Sequence, residues 1–284
     1  MIFYIVIPVH NEEETIGQTL ASLAAQTLLP QKLCVVNDSS NDNSQNIIDQ
    51  YVSEYDWIES VNNSSSEKHE PGAKIIKAFY CGLKQLDDNY DVICKFDGDL
   101  IFPKDYLESL AKHYQTDAKL GMVGGHCSVL KKGKWVLEGV TGEDHIRGAL
   151  KSYRKACFKA IGGIKPALGW DTVDELLAAF NGWRYIADTS LVVQHMAPTG
   201  SRYIQNRGLL HGQAFYTMRL GWGLTILRGL INSYRLRQWN YLWNAIKGYS
   251  SARRQKQDHI VNQQEGQYIR RRQRQQLRKK LFGF

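Results

Sequence analysis

Two carboxylates one residue apart, Asp97 and Asp99, follow directly on the apolar run Val92–Phe96. Side chains placed so at the end of a strand can reach one hard divalent cation. Mg²⁺ held by one or two carboxylates commonly completes its shell with phosphate oxygens, and the ion then acts as a Lewis acid on a departing diphosphate. The D-x-D spacing is common in loops, so its meaning depends on its surroundings. Two more polar clusters end apolar runs in the same way: His10–Asn11–Glu12 after the strand-like start of the chain, and Asn37–Asp38–Ser39 after Lys32–Val36. Further on, Asp171 and Asp174 lie three residues apart, spaced to share a helix face, with Glu175 beside them, and His195 follows the apolar run Ala187–Val193. A carboxylate aimed at a hydroxyl is a candidate general base.

The elements that must carry these residues alternate. Ile2–Pro8, Lys32–Val36 and Val92–Phe96 read as strands; Glu12–Gln26, Asn41–Tyr55 and residues 72–86 read as helices, with Ser60–Glu70 a serine-rich loop. Such alternation predicts a parallel βαβ sheet with helices on its faces. Ligands bind beyond the carboxyl ends of such strands, where all three polar clusters stand. After Asp99 the spacing predicts a helix over Lys104–Tyr114, a strand near Gly121–Gly124 and glycine-containing turns through Gly142. Helices over Gly148–Ile161 and Asp171–Asn181 and a strand over Ala187–Val193 follow. From Leu209 onward the patterns are amphipathic and helical, and Gln263–Lys280 is built largely from Gln, Arg and Lys.

Composition sets the bounds. Of 284 residues, 43% are apolar and 23% charged, which is ordinary globular usage. Five cysteines without a C-x-x-C pair argue against a disulfide framework or a zinc knuckle and fit a reduced, cytosolic compartment. The apolar start, Met1–Val9, is too short to span a bilayer, and Gly208–Ile231 is broken by His211, Gln213, Arg219 and Arg228, so no transmembrane segment is expected. Charge is uneven: residues 1–200 hold 19 Lys/Arg against 26 Asp/Glu, and residues 201–284 hold 17 against 2. An asymmetry of that size points to an anionic partner for the later part.

The segments Ile5–Glu12, Val35–Asp42 and Phe96–Asp99 resemble, in order and spacing, the opening signatures of the family 2 glycosyltransferases, and Gly169–Glu175 followed by Gly182–Trp183 looks like a variant of that family's acidic acceptor-side motif. The resemblance covers about residues 1–200. It implies an α/β fold with a GT-A-type nucleotide-binding sheet flanked by helices: a nucleotide-binding half over 1–100, an acceptor half over 101–200, and a basic, helical C-terminal region over 201–284. The implied activity is inverting, metal-dependent transfer from a UDP- or dTDP-sugar to a saccharide or lipid-linked acceptor in polysaccharide or glycolipid synthesis. Pro8 and Glu12 would belong to the nucleotide pocket, Asp38 would hydrogen-bond the base, and Asp97, Asp99 and His195 would hold Mn²⁺ or Mg²⁺, His195 otherwise serving the diphosphate. A carboxylate accepting from an imide N–H selects uracil or thymine over cytosine. Where the family pattern has two adjacent acids, Trp170 stands in place of the first. The spacing to Gly182 makes Asp171 the candidate base, with Asp174 and then Glu175 as alternatives. Lys74, after Pro71–Gly72, either faces the donor phosphates or is a solvated helix-start lysine.

The C-terminal region interleaves Trp222, Trp239 and Trp243 with Arg219, Arg228, Arg235 and Arg237. That mixture suits an anionic bilayer surface, which implies a cytoplasmic protein peripheral on the inner face of the membrane; it also suits nucleic acid. Two other classes compete. A nucleotidyltransferase would carry a glycine-rich, basic phosphate loop after its first strand, where this chain has the acidic run Glu12–Glu14. A nucleic-acid-binding protein driven by the tail conflicts with the negative charge of residues 1–200 and leaves the acidic motifs without a role.

Overall fold

A computed structural model of the chain describes residues 1–64, 72–138, 145–197 and 207–282, with side chains to 278. The chain forms two compact units. The first joins Met1–Pro166 to Trp170–Pro198, and the second joins Ala167–Gly169 to Thr199–Phe284.

In the first unit β1 (Phe3–Val9), α1 (Ile16–Ala24), β2 (Lys32–Asp38), α2 (Ser44–Glu54), β3 (Ile58–Asn63), α3 (Ala73–Leu83) and β4 (Val92–Phe96) alternate as expected. There follow β5 (Leu100–Ile101), α4 (Tyr106–Thr116), β6 (Leu120–Lys131), β7 (Lys134–Leu137), β8 (Leu150–Arg154), α5 (Lys155–Ala160), α6 (Trp170–Phe180) and β9 (Arg184–His195). One sheet runs in the order β3-β2-β1-β4-β8-β6-β9-β5, with β7 paired to β6. The strands β3, β2, β1 and β4 are mutually parallel. Antiparallel β8 joins β4 to β6, and β6 pairs in parallel with β9.

Side chains alternate across a strand, and β1 is buried on both faces. Phe3, Ile5, Ile7 and Val9 enter a core with Ile16, Leu20 and Leu23 of α1, Ile48 of α2 and Tyr106 and Leu110 of α4. Val6 points the other way, toward α3, where a Cβ on Gly82 would lie 2.8 Å from Val6 and 2.5 Å from Val36. Only glycine lets that helix sit so close. Connections leave β1 and β4, neighbours in the sheet, toward opposite sides. That arrangement opens a crevice at their carboxyl ends.

Two expectations need correction. Residues 60–63, expected in a loop, belong to edge strand β3; Ser60, Val61 and Asn63 are half-buried and Asn62 is exposed, without clear alternation, and the remainder of that loop beyond residue 64 lies outside the described residues. Gly148–Ile161, expected as one helix, splits into strand β8 and the short helix α5. Leu150, Tyr153 and Cys157 have helical spacing, but β8 lies between two strands and is buried nearly throughout, so the alternation that marks a half-exposed strand is missing. Of the glycine-containing stretch 125–142, the first part extends β6 and contributes β7, and residues 139–142 lie outside the described residues.

The second unit contains α7 (Arg207–Thr217), α8 (Trp222–Leu236), α9 (Asn240–Arg254) and α10 (Gln263–Phe282). Helices α7 and α9 meet backbone to backbone: a Cβ on Gly212 would lie 2.0 Å from the Ala245 carbonyl oxygen. Among the described residues no helix is long and apolar enough to cross a membrane. All five cysteines are free thiols.

Candidate active site

The turns after β1 and β2 are built as one piece. Asn11 and Ser39 have φ of 56° and 59°, a region that asparagine tolerates better than most residues. The Asn41 amide donates to Asn11 Oδ1 at 2.8 Å, the Asn11 amide to Ser40 Oγ at 3.0 Å, and the Glu12 amide to Ser44 Oγ at 2.8 Å. Pro8 is buried in β1 opposite Val36. Asp38 is buried at the end of β2, accepts from Asn63 Nδ2 at 2.7 Å, and faces Lys74 Nζ at 3.8 Å. Lys74 therefore stands beside Asp38, and the Asp38 carbonyl bonds His10 Nδ1 at 2.7 Å.

Glu12 accepts from Thr15 Oγ1 at 2.9 Å. Burial, reinforced by the charges of Asp99 and Asp97, pushes its carboxyl up to about 7 despite that bond, so the three acids share one electrostatic environment. Asp97 pairs with Lys95. The Lys95 ammonium, itself buried, also donates to the Gly148 carbonyl at 3.2 Å and lies 5.4 Å from the centre of the Trp170 ring. The pairing of Leu100 in β5 with His195 in β9 brings His195 Nε2 to 3.1 Å from Asp99 Oδ2. Asp99 is 8% exposed, and its buried Oδ1 has no hydrogen-bond partner among the described residues. A buried carboxylate oxygen without a donor is costly, and oxygen and imidazole nitrogen are a suitable donor set for Mg²⁺ or Mn²⁺. The residues fit a divalent ion.

At the start of α6 the charges are arranged differently. Lys151, wholly buried, donates to the Asp171 carbonyl at 2.6 Å, to Asp174 Oδ1 at 3.0 Å and to Glu175 Oε1 at 2.9 Å. Tyr153 donates its hydroxyl to Asp174 Oδ2 at 2.5 Å, and the Ile146 amide donates to Glu175 at 2.9 Å. Burial raises the Asp174 carboxyl although Lys151 opposes it. Asp174 is 2% exposed, while the Asp171 side chain is 33% exposed. His145 Nε2 stands 3.4 Å from Asp171 Oδ2, and Nδ1 stands 3.0 Å from Glu175 Oε2. Burial disfavours the charged imidazole, but these bonds outweigh it and raise His145 to about 9. Burial likewise works against the Asp171 carboxylate, and the hydrogen bond and charge of His145 overcome it and hold the carboxyl below its usual value.

Lys95, Lys151, Glu138, His145 and Arg147 were not legible as site residues. The two lysines sit within buried strands, where a charge among apolar neighbours was the signal available; they are cross-strand partners in β4 and β8. The other three lie in stretches whose sequence has no periodicity to read.

A parallel half continued by a mixed half in one sheet flanked by helices matches the GT-A fold. Residues 4–137, just under half of the chain, match the model of glycosyl transferase family 2. It is 31% identical over 135 residues to the probable glycosyltransferase YdaM of Bacillus subtilis (strain 168), covering 47% of this chain and 31% of that one. It is 28% identical over 123 residues to the poly-beta-1,6-N-acetyl-D-glucosamine synthase of Staphylococcus aureus (strain COL), covering 43% and 28%. The chain thus spans about a third of the length of these curated relatives. Among solved structures, S. aureus TarS 1–349 in complex with UDP-GlcNAc aligns with a TM-score of 0.58 at 19% identity, over 78% of this chain and 65% of that one. The mannosyltransferase PcManGT from Pyrobaculum calidifontis, in complex with GDP-Man and Mn²⁺, aligns with a TM-score of 0.57 at 15% identity, over 75% and 62%. The fold is that of these nucleotide-sugar enzymes.

Proposed function

We propose that the chain catalyses inverting transfer of a sugar from a uridine or thymidine diphosphate sugar to an acceptor hydroxyl, with a divalent metal at Asp99 and His195 and with Asp171 as the base. The observation that carries this reading is the contrast between Asp99, whose buried Oδ1 has no partner among the described residues, and Asp171, whose half-buried carboxyl His145 holds below its usual value. Asp171 takes the acceptor proton as the hydroxyl oxygen forms its bond to the anomeric carbon; the bond to the diphosphate oxygen breaks on the opposite face and its electron pair leaves with the diphosphate. Bound metal would supply charge neutralisation for that leaving group. Asp38, fixed by Asn63 and facing Lys74, is oriented to accept from the imide N–H of the base, and Asp97 and Glu12 line the same end of the sheet. Asp174 is a poorer base because Lys151 and Tyr153 occupy its oxygens. Likeness to a polysaccharide synthase supports a saccharide acceptor.

Calorimetry with a panel of nucleoside diphosphates tests the donor and metal assignments together. UDP or dTDP should bind more tightly than CDP or GDP, and only with Mn²⁺ or Mg²⁺ present; Asp99→Asn should weaken the complex. UDP affinity indifferent to chelator and to this variant removes the metal from the reaction.

The same reading extends to an anionic membrane surface as partner of the second unit. Its support is the exposure of Tyr234 (78%) on α8, Trp239 (76%) at the N-cap of α9 and Trp243 (64%) on α9, in a region with 17 basic and 2 acidic residues. Each Lys or Arg near such a surface contributes about 1 kcal/mol, screened by salt. Co-sedimentation should be stronger with anionic than with neutral liposomes and should weaken in salt. Indifference to lipid charge together with tight duplex DNA binding at the same ionic strength would favour a nucleic-acid partner instead.

A further inference from the structure

We propose that Glu138 is a positioning residue for the metal site, accepting the Nδ1 proton of His195 and so leaving Nε2 to meet the cation beside Asp99. This rests on the reading that a divalent ion binds at Asp99 and His195. An imidazole ligates through one nitrogen only when its proton sits on the other, and a hydrogen-bond partner decides which. Here Glu138 Oε2 lies 3.3 Å from His195 Nδ1, while Nε2 faces Asp99 Oδ2 at 3.1 Å. An ionised carboxylate can only accept, and Asp99 would hold a proton on Nε2 in the same way; a cation bound at Nε2 displaces that proton, which leaves the Nδ1–H form, with Glu138 as its acceptor, as the one that ligates.

Glu138 is itself held. It directly follows β7, its amide donates to the Cys127 carbonyl at 2.9 Å, and its buried carboxylate lies 3.0 Å from Arg147 Nη1. That guanidinium compensates the charge that burial would otherwise penalise. The arrangement is a carboxylate–histidine pair of the kind that orients metal ligands and raises their basicity. Cys127, Glu138 and His195 also place ligand atoms within 4.8 Å of one another, which offers a rival place for an ion. Arg147 disfavours it, because a second cation against Glu138 would be repelled.

Mn²⁺ binding in the presence of UDP, read from loss of the free-ion EPR signal, separates these cases. Glu138→Ala should weaken Mn²⁺ binding about 10–100-fold, the usual effect of losing such a partner. Glu138→Gln, whose amide oxygen still accepts from Nδ1, should recover most of the loss, and Cys127→Ser should bind as the wild type does. Wild-type affinity in Glu138→Ala, with weak binding in His195→Ala, overturns the proposal. So does a loss in Cys127→Ser equal to that in Glu138→Ala, which would put the ion in the rival place. Wild-type affinity in both His195→Ala and Asp99→Asn instead defeats the metal reading beneath it. A measurement on the unaltered protein guards against a misfolded variant: with Cd²⁺ and UDP bound, the ¹⁵N spectrum of labelled histidine should show the His195 proton on Nδ1, and a proton on Nε2 overturns the proposal.

Discussion

At the end of β4, Lys95 pairs with Asp97 and His195 meets one oxygen of Asp99, whose other oxygen has no donor among the described residues. Around the start of α6 three carboxylates are met by Lys151, Tyr153 and His145, and each has at least one donor. The same residue types thus serve opposite electrostatic purposes. Under the proposed roles, the first cluster keeps one carboxylate oxygen for a cation from outside, and the second holds one half-buried member, Asp171, ionised. Motif spacing alone does not separate the two; the count of donors around each oxygen does.

The strongest test of this contrast exchanges the two acids of α6. Asp171→Asn should lower transfer roughly 10²–10⁴-fold, the scale of a lost general base, with donor binding nearly intact. Asp174→Asn should reduce transfer far less and instead lower the melting temperature, because Lys151 and Tyr153 lose a buried carboxylate, a change of about 1–3 kcal/mol. If steady-state rates and melting curves show the reverse order, the base belongs to Asp174 and the contrast fails.

A smaller effect should appear in the pH dependence of stability. His145 is raised from 6.5 to about 9 in the folded chain, so folding favours its charged form. Its contribution is full below about 6.5 and is lost as pH rises through about 9. Melting temperature should therefore fall across that window, and His145→Gln should shrink the fall without abolishing it, since His195 is raised to about 9 as well. An identical fall in the variant would mean that the Asp171–His145 pair contributes nothing to the fold.

The parallel half was legible because its strands are short apolar runs that end in polar clusters, and both properties are local. Glu12, Asp38, Asp97 and Asp99 could be nominated from one stretch of sequence each, and the structure brings them to neighbouring strand ends. The mixed half resisted. Strand β8 is buried on both faces and so looks helical, and His145 acquires its importance only from residues 26 and 30 positions away. Spacing to Gly182 favoured Asp171 and left Asp174 open as the alternative; that Lys151 and Tyr153 close over the second could not be read from spacing.

Lys95 and Lys151 stand opposite each other across the β4–β8 ladder, one reaching Asp97 and the other Asp174 and Glu175. Like charges directly opposite repel, so the pairing is tolerable only while each lysine keeps its own carboxylates. Sliding β8 by a single residue would turn Lys151 to the far face of the sheet, stranding an ammonium in the core and leaving Asp174 and Glu175 without their cation. Under the proposed roles, catalytic competence is a form of proofreading on strand assembly: a chain that pairs β4 and β8 one residue out of step would not retain a partly working site.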